Sequence, residues 1–117
     1  MKSKPATVLG RGIVLEDFSV LLLDISEKDF QATVRELAET LGWVVFTTWN
    51  SRHSPAGEPD LRLVHPHKRR MVWMELKREK GKLTSKQELA IHALQEAGEE
   101  VHVFRPSDWD EIVRVLT

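Results

Sequence analysis

Two carboxylates and an ammonium are the residues of this chain best suited to chemistry: Asp60, then Glu75 and Lys77. The run Met71-Val72-Trp73-Met74-Glu75-Leu76-Lys77 reads as a strand, apolar enough to be buried on both faces. Side chains alternate along a strand. Val72, Met74 and Leu76 therefore point one way, and Trp73, Glu75 and Lys77 the other. Asp60 begins the preceding predicted strand, 60–65, just after Pro59, which fixes the backbone. A hairpin through Pro66-His67-Lys68-Arg69 then sets two carboxylates beside one ammonium. Carboxylates suit a hard divalent cation such as Mg2+. A neighbouring lysine orients or deprotonates a water, or offsets developing negative charge. These are the parts of metal-assisted phosphodiester hydrolysis. Acid-x-Lys triplets are common as solvated salt-bridge faces. Here the acid interrupts an apolar strand, where an unpaired charge is expensive.

The charge pattern supports a polyanionic substrate. The chain of 117 residues carries a formal net charge of −1. Between Arg62 and Lys86, however, the net charge is +7, leaving −8 for the rest. Lys68, Arg69, Arg70, Arg78, Lys80, Lys82 and Lys86 flank the acids there, as candidate phosphate contacts. Taken alone, Lys68-Arg69-Arg70 reads as a solvated hairpin tip. The absence of cysteine removes disulfides and thiolate zinc sites and fits a reducing cytoplasm. No apolar stretch approaches membrane-spanning length, and 20–23 is too short for a signal-peptide core. The length suits one domain with a real core.

The elements that must position these residues follow from periodicity. Residues 1–25 read as an N-terminal extension, with short strands at 13–16 and 18–24. Ser26 caps a helix whose stripe is Phe30, Val34, Leu37, Ala38 and Leu41, and Gly42 ends it. The dense β-prone run 43–49 reads as a central strand, and 50–57 as a loop. After the hairpin comes a basic loop. Thr84-x-x-Gln87 is a capping box opening a second helix, which stops at Gly98. A strand at 101–104 follows. Pro106-Ser107 opens a last helix, with Trp109, Ile112, Val113 and Leu116 facing the core. The order is α-β-β-β-α-β-α over 26–117, an α/β class.

The ordered set Glu27-x-x-x-Gln31, Gly42-Trp43, Trp49-Asn50-Ser51-Arg52, Gly57-Glu58-Pro59-Asp60, Glu75-Leu76-Lys77, Leu83-Thr84-x-x-Gln87 and Ala97-Gly98 resembles the VRR-NUC branch of the PD-(D/E)xK nuclease superfamily. The resemblance spans roughly 26–116. It implies a restriction-endonuclease-like mixed sheet flanked by helices, and Mg2+- or Mn2+-dependent hydrolysis of DNA. Stand-alone relatives are often phage-encoded and resemble Holliday-junction resolvases in acting as dimers. It assigns Asp60 and Glu75 as metal-binding acids, with the Leu76 carbonyl as a further ligand. Lys77 is then the catalytic lysine, Glu27 the acid of the first helix, acting on the metal directly or through water, and Gln87 the glutamine of the second helix.

Helix geometry separates Glu27 from its rival Glu36. Glu27, Gln31, Val34 and Ala38 share one side, while Glu36 points away. Glu27 also favours a helix N-terminus by charge alone, and both roles are compatible. Gln87 is fully explained by the capping box, yet it shares a face with Ala90, Ile91 and Leu94 and so points to the sheet. Arg52 and His53, in the loop before Asp60, are further candidate phosphate contacts. His65-Pro66-His67 reads as a solvated turn, and Trp43 and Trp73 as core. The reading is a metal-dependent endonuclease acting on DNA, selective for branched or junction DNA and working as a homodimer. The alternative is a catalytically inactive nucleic-acid-binding module of the same fold. The segment at 20–23, with Phe18 and Ile25, has no partner in this scheme and is assigned to the dimer interface or a sheet edge.

Overall fold

The computed structural model describes residues 8–9, 13–14, 23–48 and 57–117. Strands β1 (Val8–Leu9) and β2 (Ile13–Val14) pair antiparallel in a small sheet of their own. The strand expected at 18–24 lies mostly outside the described residues, and its end, Leu23 and Asp24, is a turn. The Ser26 hydroxyl accepts from the Asp29 N–H at 3.1 Å, and helix α1 runs Glu27–Thr40. Phe30, Val34 and Ala38 are buried on it, with Leu37 and Leu41 packed at their margin. The 3.6-residue spacing of these apolar positions is what gives the helix one dry face.

Strands β3 (Val44–Thr47), β4 (Leu61–His65), β5 (Arg70–Leu76) and β6 (Val101–Phe104) form the main sheet in that order. The first three are antiparallel neighbours, and β6 runs parallel to β5. Helix α2 (Ser85–Glu96) makes the crossover between β5 and β6, and α3 (Trp109–Leu116) closes the chain after a 3-10 turn at Pro106–Asp108. This is the expected mixed sheet flanked by helices, in the expected order.

Leu61, Leu63, Val72, Met74, Leu76 and Phe104 point to one face of the sheet. There they pack with Phe30, Val34 and Ala38 of α1 and with Trp109, Ile112, Val115 and Leu116 of α3. The opposite face carries Phe46, Arg62, Trp73 and Glu75, and α2 lies against its β6 side.

Three expectations change. Strand β3 is an edge strand rather than a central one, and Val44 and Phe46 are each nearly half exposed. Trp73 is only half-buried, because it sits on the thinly covered face. His65 is not part of a solvated turn. It is buried edge-on against Trp43, its Nε2 lies 3.2 Å from the Leu41 carbonyl, and its Nδ1 accepts from the Lys68 N–H at 3.3 Å. An imidazole with one ring nitrogen donating and the other accepting satisfies both backbone groups.

Candidate active site

The register of the β4–β5 hairpin builds the acid pair. Leu61 lies opposite Met74, so Asp60 emerges beside Glu75 at the open end of the hairpin. The Asp60 N–H donates to Glu75 Oε2 at 3.2 Å, and Asp60 Oδ2 accepts from the Leu76 N–H at 2.8 Å. Each acid is thus held by the other strand's backbone. The Thr48 N–H donates to the Asp60 carbonyl at 2.8 Å, and the Thr48 hydroxyl donates to the Pro59 carbonyl. Strand β3 therefore clamps the start of β4, and Pro59 itself is fully buried.

Gln87 satisfies both of its sequence readings. Its amide oxygen and backbone N–H complete the capping box with Thr84, at 2.9 and 3.1 Å. Its Nε2 donates to Glu75 Oε1 at 2.9 Å. A residue that caps α2 with one end and holds an acid with the other ties the helix start to the site. Gly57 brings that helix start close. Its φ is +88°, and a Cβ there would stand 2.2 Å from the Lys86 carbonyl oxygen and 2.9 Å from the Gln87 nitrogen. Only glycine fits both the backbone angle and the approach.

Glu75 is wholly buried and Lys77 is 9 % exposed. Lys77 Nζ lies 3.6 Å from Glu27 Oε1 at the start of α1, while Glu36 is exposed further along the helix. Burial, and then the neighbouring Asp60 charge, push the Glu75 carboxyl up to about 8 against the pull of Lys77. Asp60 is also raised, chiefly by burial, with the Leu76 N–H opposing. Two desolvated acids pressed together lack positive charge. Their donors are hard oxygens, which fits an alkaline-earth-type cation. Among the described residues no three of His, Cys, Asp and Glu gather as a metal cage. The protein's share would thus be the pair, with backbone and water completing the shell.

The structure brings Asp60, Glu75, Lys77, Gln87 and Glu27 together at one end of the sheet. Arg78, Lys80, Lys82 and Lys86 are exposed on the segment that follows Lys77 and on the first turn of α2. That segment is pinned: Arg105 donates to the Gly81 carbonyl at 2.8 Å, and Glu79 accepts from the Ser107 N–H at 2.9 Å.

Lys68, Arg69 and Arg70 are not brought to the acids. They occupy the far end of the hairpin, about 16 Å away at the rise of a strand. Arg70 is spent on Glu100, at 3.0 and 2.6 Å, and on the Val115 carbonyl at 2.8 Å. Lys68 donates to the Thr117 carbonyl. Arg52, His53 and Trp49 lie outside the described residues. Thr48 carries no signal in the sequence that marks it for the site. Gly57 carries one, a glycine three residues before a candidate acid, but its close approach to α2 is visible only in the fold.

A family model described as the VRR-NUC domain matches residues 17–108. Two solved structures are similar. One, titled "VRR_NUC domain", is 24% identical with a TM-score of 0.65, covering 76% of this chain and 95% of that one. The other, a "VRR_NUC domain protein", is 17% identical with a TM-score of 0.59, covering 79% of this chain and 85% of that one. At those identities the likeness is one of fold. Among curated proteins none matches significantly.

Proposed function

The chain belongs to the VRR-NUC family of nuclease domains, and from that premise we propose that it is a divalent-metal-dependent endonuclease acting on DNA. The observation that carries the reading is the buried acid pair, Asp60 and Glu75, bonded across two strands with Gln87 on one side and Lys77 close by. A module that only bound nucleic acid would have no use for buried acids that repel phosphate. That disfavours the catalytically inactive alternative.

Asp60, Glu75 and the Leu76 carbonyl would hold Mg2+ or Mn2+, with Glu27 contributing through water. Such an ion, when bound, polarises the phosphoryl oxygen and lowers the pKa of a water. The chain's own groups then do the positioning. The Leu76 N–H fixes Asp60, and Gln87 Nε2 fixes Glu75. Lys77 Nζ, held near Glu27, offsets charge that develops at phosphorus or steers the attacking water. Arg78, Lys80, Lys82 and Lys86 lie on the segment and helix start beside the acids, where they would lead a phosphate backbone toward them.

Selectivity for branched DNA and a two-fold dimer belong to the same proposal, since symmetric cutting of a junction needs two sites in a fixed relation. Of the segment assigned to an interface, 18–22 is outside the described residues, Leu23 is exposed, and Ile25 packs against the core. No helix among the described residues is long and apolar enough to cross a membrane. With a DNA substrate and no cysteine, a bacterial or phage-infected cytoplasm is the proposed site of action.

The test is cleavage of labelled junction, flap and plain duplex DNA, with Mg2+, with Mn2+ and with EDTA. The parent should cut only with metal. Asp60→Asn and Lys77→Ala should each lose at least about a hundredfold in rate, the scale of a positioned charge or proton-transfer group. A folded Asp60→Asn or Lys77→Ala that cuts at the parental rate would overturn the assignment.

A further inference from the structure

Asp60 and Arg62 alternate onto the thinly covered face of the sheet, beside Trp73 and Glu75 of β5 and opposite Phe46 of β3. The Arg62 guanidinium carbon lies 4.8 Å from the centroid of the Phe46 ring and 5.6 Å from that of Trp73. The same stretch of sheet leaves Phe46 46% and Val44 48% exposed. One pleat repeat separates Arg62 from Asp60, and another separates Trp73 from Glu75.

Among the described residues, the donors on this face are unspent. Arg70, Arg105 and Arg114 are committed to acids or carbonyls. Among the described residues no ion pair or hydrogen bond takes up Arg62. A guanidinium held over aromatic rings keeps its plane fixed while its edge N–H groups stay free, the geometry that grips a phosphodiester through two oxygens. The Trp73 Nε1–H is buried and has no acceptor among the described residues. That donor is closed to solvent, so Trp73 serves this face through its ring, as a platform for the guanidinium.

We propose that Phe46, Arg62 and Trp73 form a subsite for the nucleic-acid strand next to the acid pair, with Arg62 gripping a phosphodiester and the exposed Phe46 surface packing on an adjoining unpaired base. This rests on the nuclease reading, and it adds a strand-binding surface to the one formed by the basic residues after Lys77. A second copy of this chain suits the face less well. Val44 and Phe46, each about half exposed, offer on the order of 150 Å2, against the roughly 800 Å2 per partner of a stable interface.

The experiment is fluorescence anisotropy with a labelled 20-nucleotide single strand in EDTA, as a function of salt, using the full chain. Arg62→Ala should weaken binding roughly tenfold, the scale of one charge-assisted hydrogen bond. It should also flatten the plot of log affinity against log salt by about 0.7, the share of one single-strand phosphate. Arg62→Lys should keep the slope and recover part of the affinity. Phe46→Ala should weaken binding about fivefold or more at unchanged slope. Arg35→Ala, on the exposed face of α1, is the control and should change nothing. Parental affinity and slope in both Arg62 variants would overturn the proposal. So would a Phe46→Ala chain that binds normally but sediments at a different mass. Because no turnover is needed, a parent that fails to cut with Mg2+ while Arg62→Ala loses binding would remove the nuclease reading and leave the subsite standing.

Discussion

Glu75 is an acid and is nevertheless wholly buried, which makes it a source of instability wherever it is ionised without a cation beside it. Burial and the neighbouring Asp60 charge push its carboxyl up to about 8 in the folded chain, from an ordinary value of 4.5. The folded state therefore binds the extra proton between those values, and stability falls as pH rises through that window. Below about 4.5 the penalty is absent, and above about 8 it is complete. Glu100 runs the other way. The Arg70 fork holds it down to about 2, so its stabilisation is lost only as pH falls from 4.5 toward 2. Between pH 5 and 8 the Glu75 effect should dominate. In EDTA the thermal midpoint should be several degrees higher at pH 5 than at pH 8, at about 4 °C or more per kcal/mol for a domain of this size. Mg2+ should raise it at pH 8 and barely at pH 5, and scanning fluorimetry reads both. A midpoint that rises with pH in EDTA would contradict the buried, metal-free acid. Gly57 gives a second prediction. Gly57→Ala meets both an unfavourable φ and the α2 backbone, whereas Gly98→Ala meets the φ alone in open space. The latter should cost about 1–2 kcal/mol. Gly57→Ala should cost more in a urea melt and also lower kcat, because Gln87 is carried away from Glu75. The acids, the lysine and Gln87 were legible because they break an apolar strand or complete a capping box. Thr48 and the role of Gly57 were not, since both act through backbone contacts between segments far apart in sequence.

The elements show the same division between local and distant causes. Both helix starts were legible, because Ser26 and Thr84 each bond a backbone N–H three residues on. The position of β3 was not. Val44-Val45-Phe46-Thr47 is as apolar as a central strand, yet it lies at the sheet edge, and among the described residues no element covers Val44 and Phe46. The hairpin tip has a related feature that its sequence does not show: Lys68 and Arg70 find partners at the C-terminal end of α3, forty or more residues away. The last turn of α3 offers carbonyls that its own helix cannot satisfy. Arg70 takes Val115, Trp43 takes Leu116 at 2.9 Å, and Lys68 takes Thr117. Positive charge at a helix C-terminus is favourable on its own account. Arg70 thus acts as a clasp between β5, Glu100 and α3. Arg70→Ala should destabilise the fold by about 1.5–3 kcal/mol, the worth of charged hydrogen bonds. It should leave the salt dependence of DNA binding unchanged. Chemical denaturation beside a salt titration separates this from a phosphate-binding role, which would do the reverse.

For the whole molecule the governing quantity is where the charge lies. A net charge of −1 conceals a segment at +7, and sequence alone places both of its basic groups beside the acids, one before Glu75 and one after it. Antiparallel register separates them: Lys68, Arg69 and Arg70 are carried to the far end of the hairpin, while the basic residues after Leu76 stay at the site. That difference predicts two unequal responses to charge removal. Replacing Lys80, Lys82 and Lys86 together by Gln should weaken duplex binding and reduce the slope of log affinity against log salt by up to about 2.7, at roughly 0.9 for each phosphate no longer neutralised. Replacing Lys68 and Arg69 should leave the slope near its parental value, because Lys68 is spent on α3 and both lie a full strand length from the acids. Pinning by Arg105 and Glu79 matters here, since side chains on a fixed segment lose less entropy on binding than those on a free loop. Arg105→Ala frees that segment and removes one charge beside it, so it should weaken binding severalfold with a slope reduced by no more than about 0.9, the share of one phosphate. Equal slope changes from the two clusters would mean that DNA runs the length of the hairpin, and that the acids sit at one end of a longer track than the charge on the Lys77 side supplies.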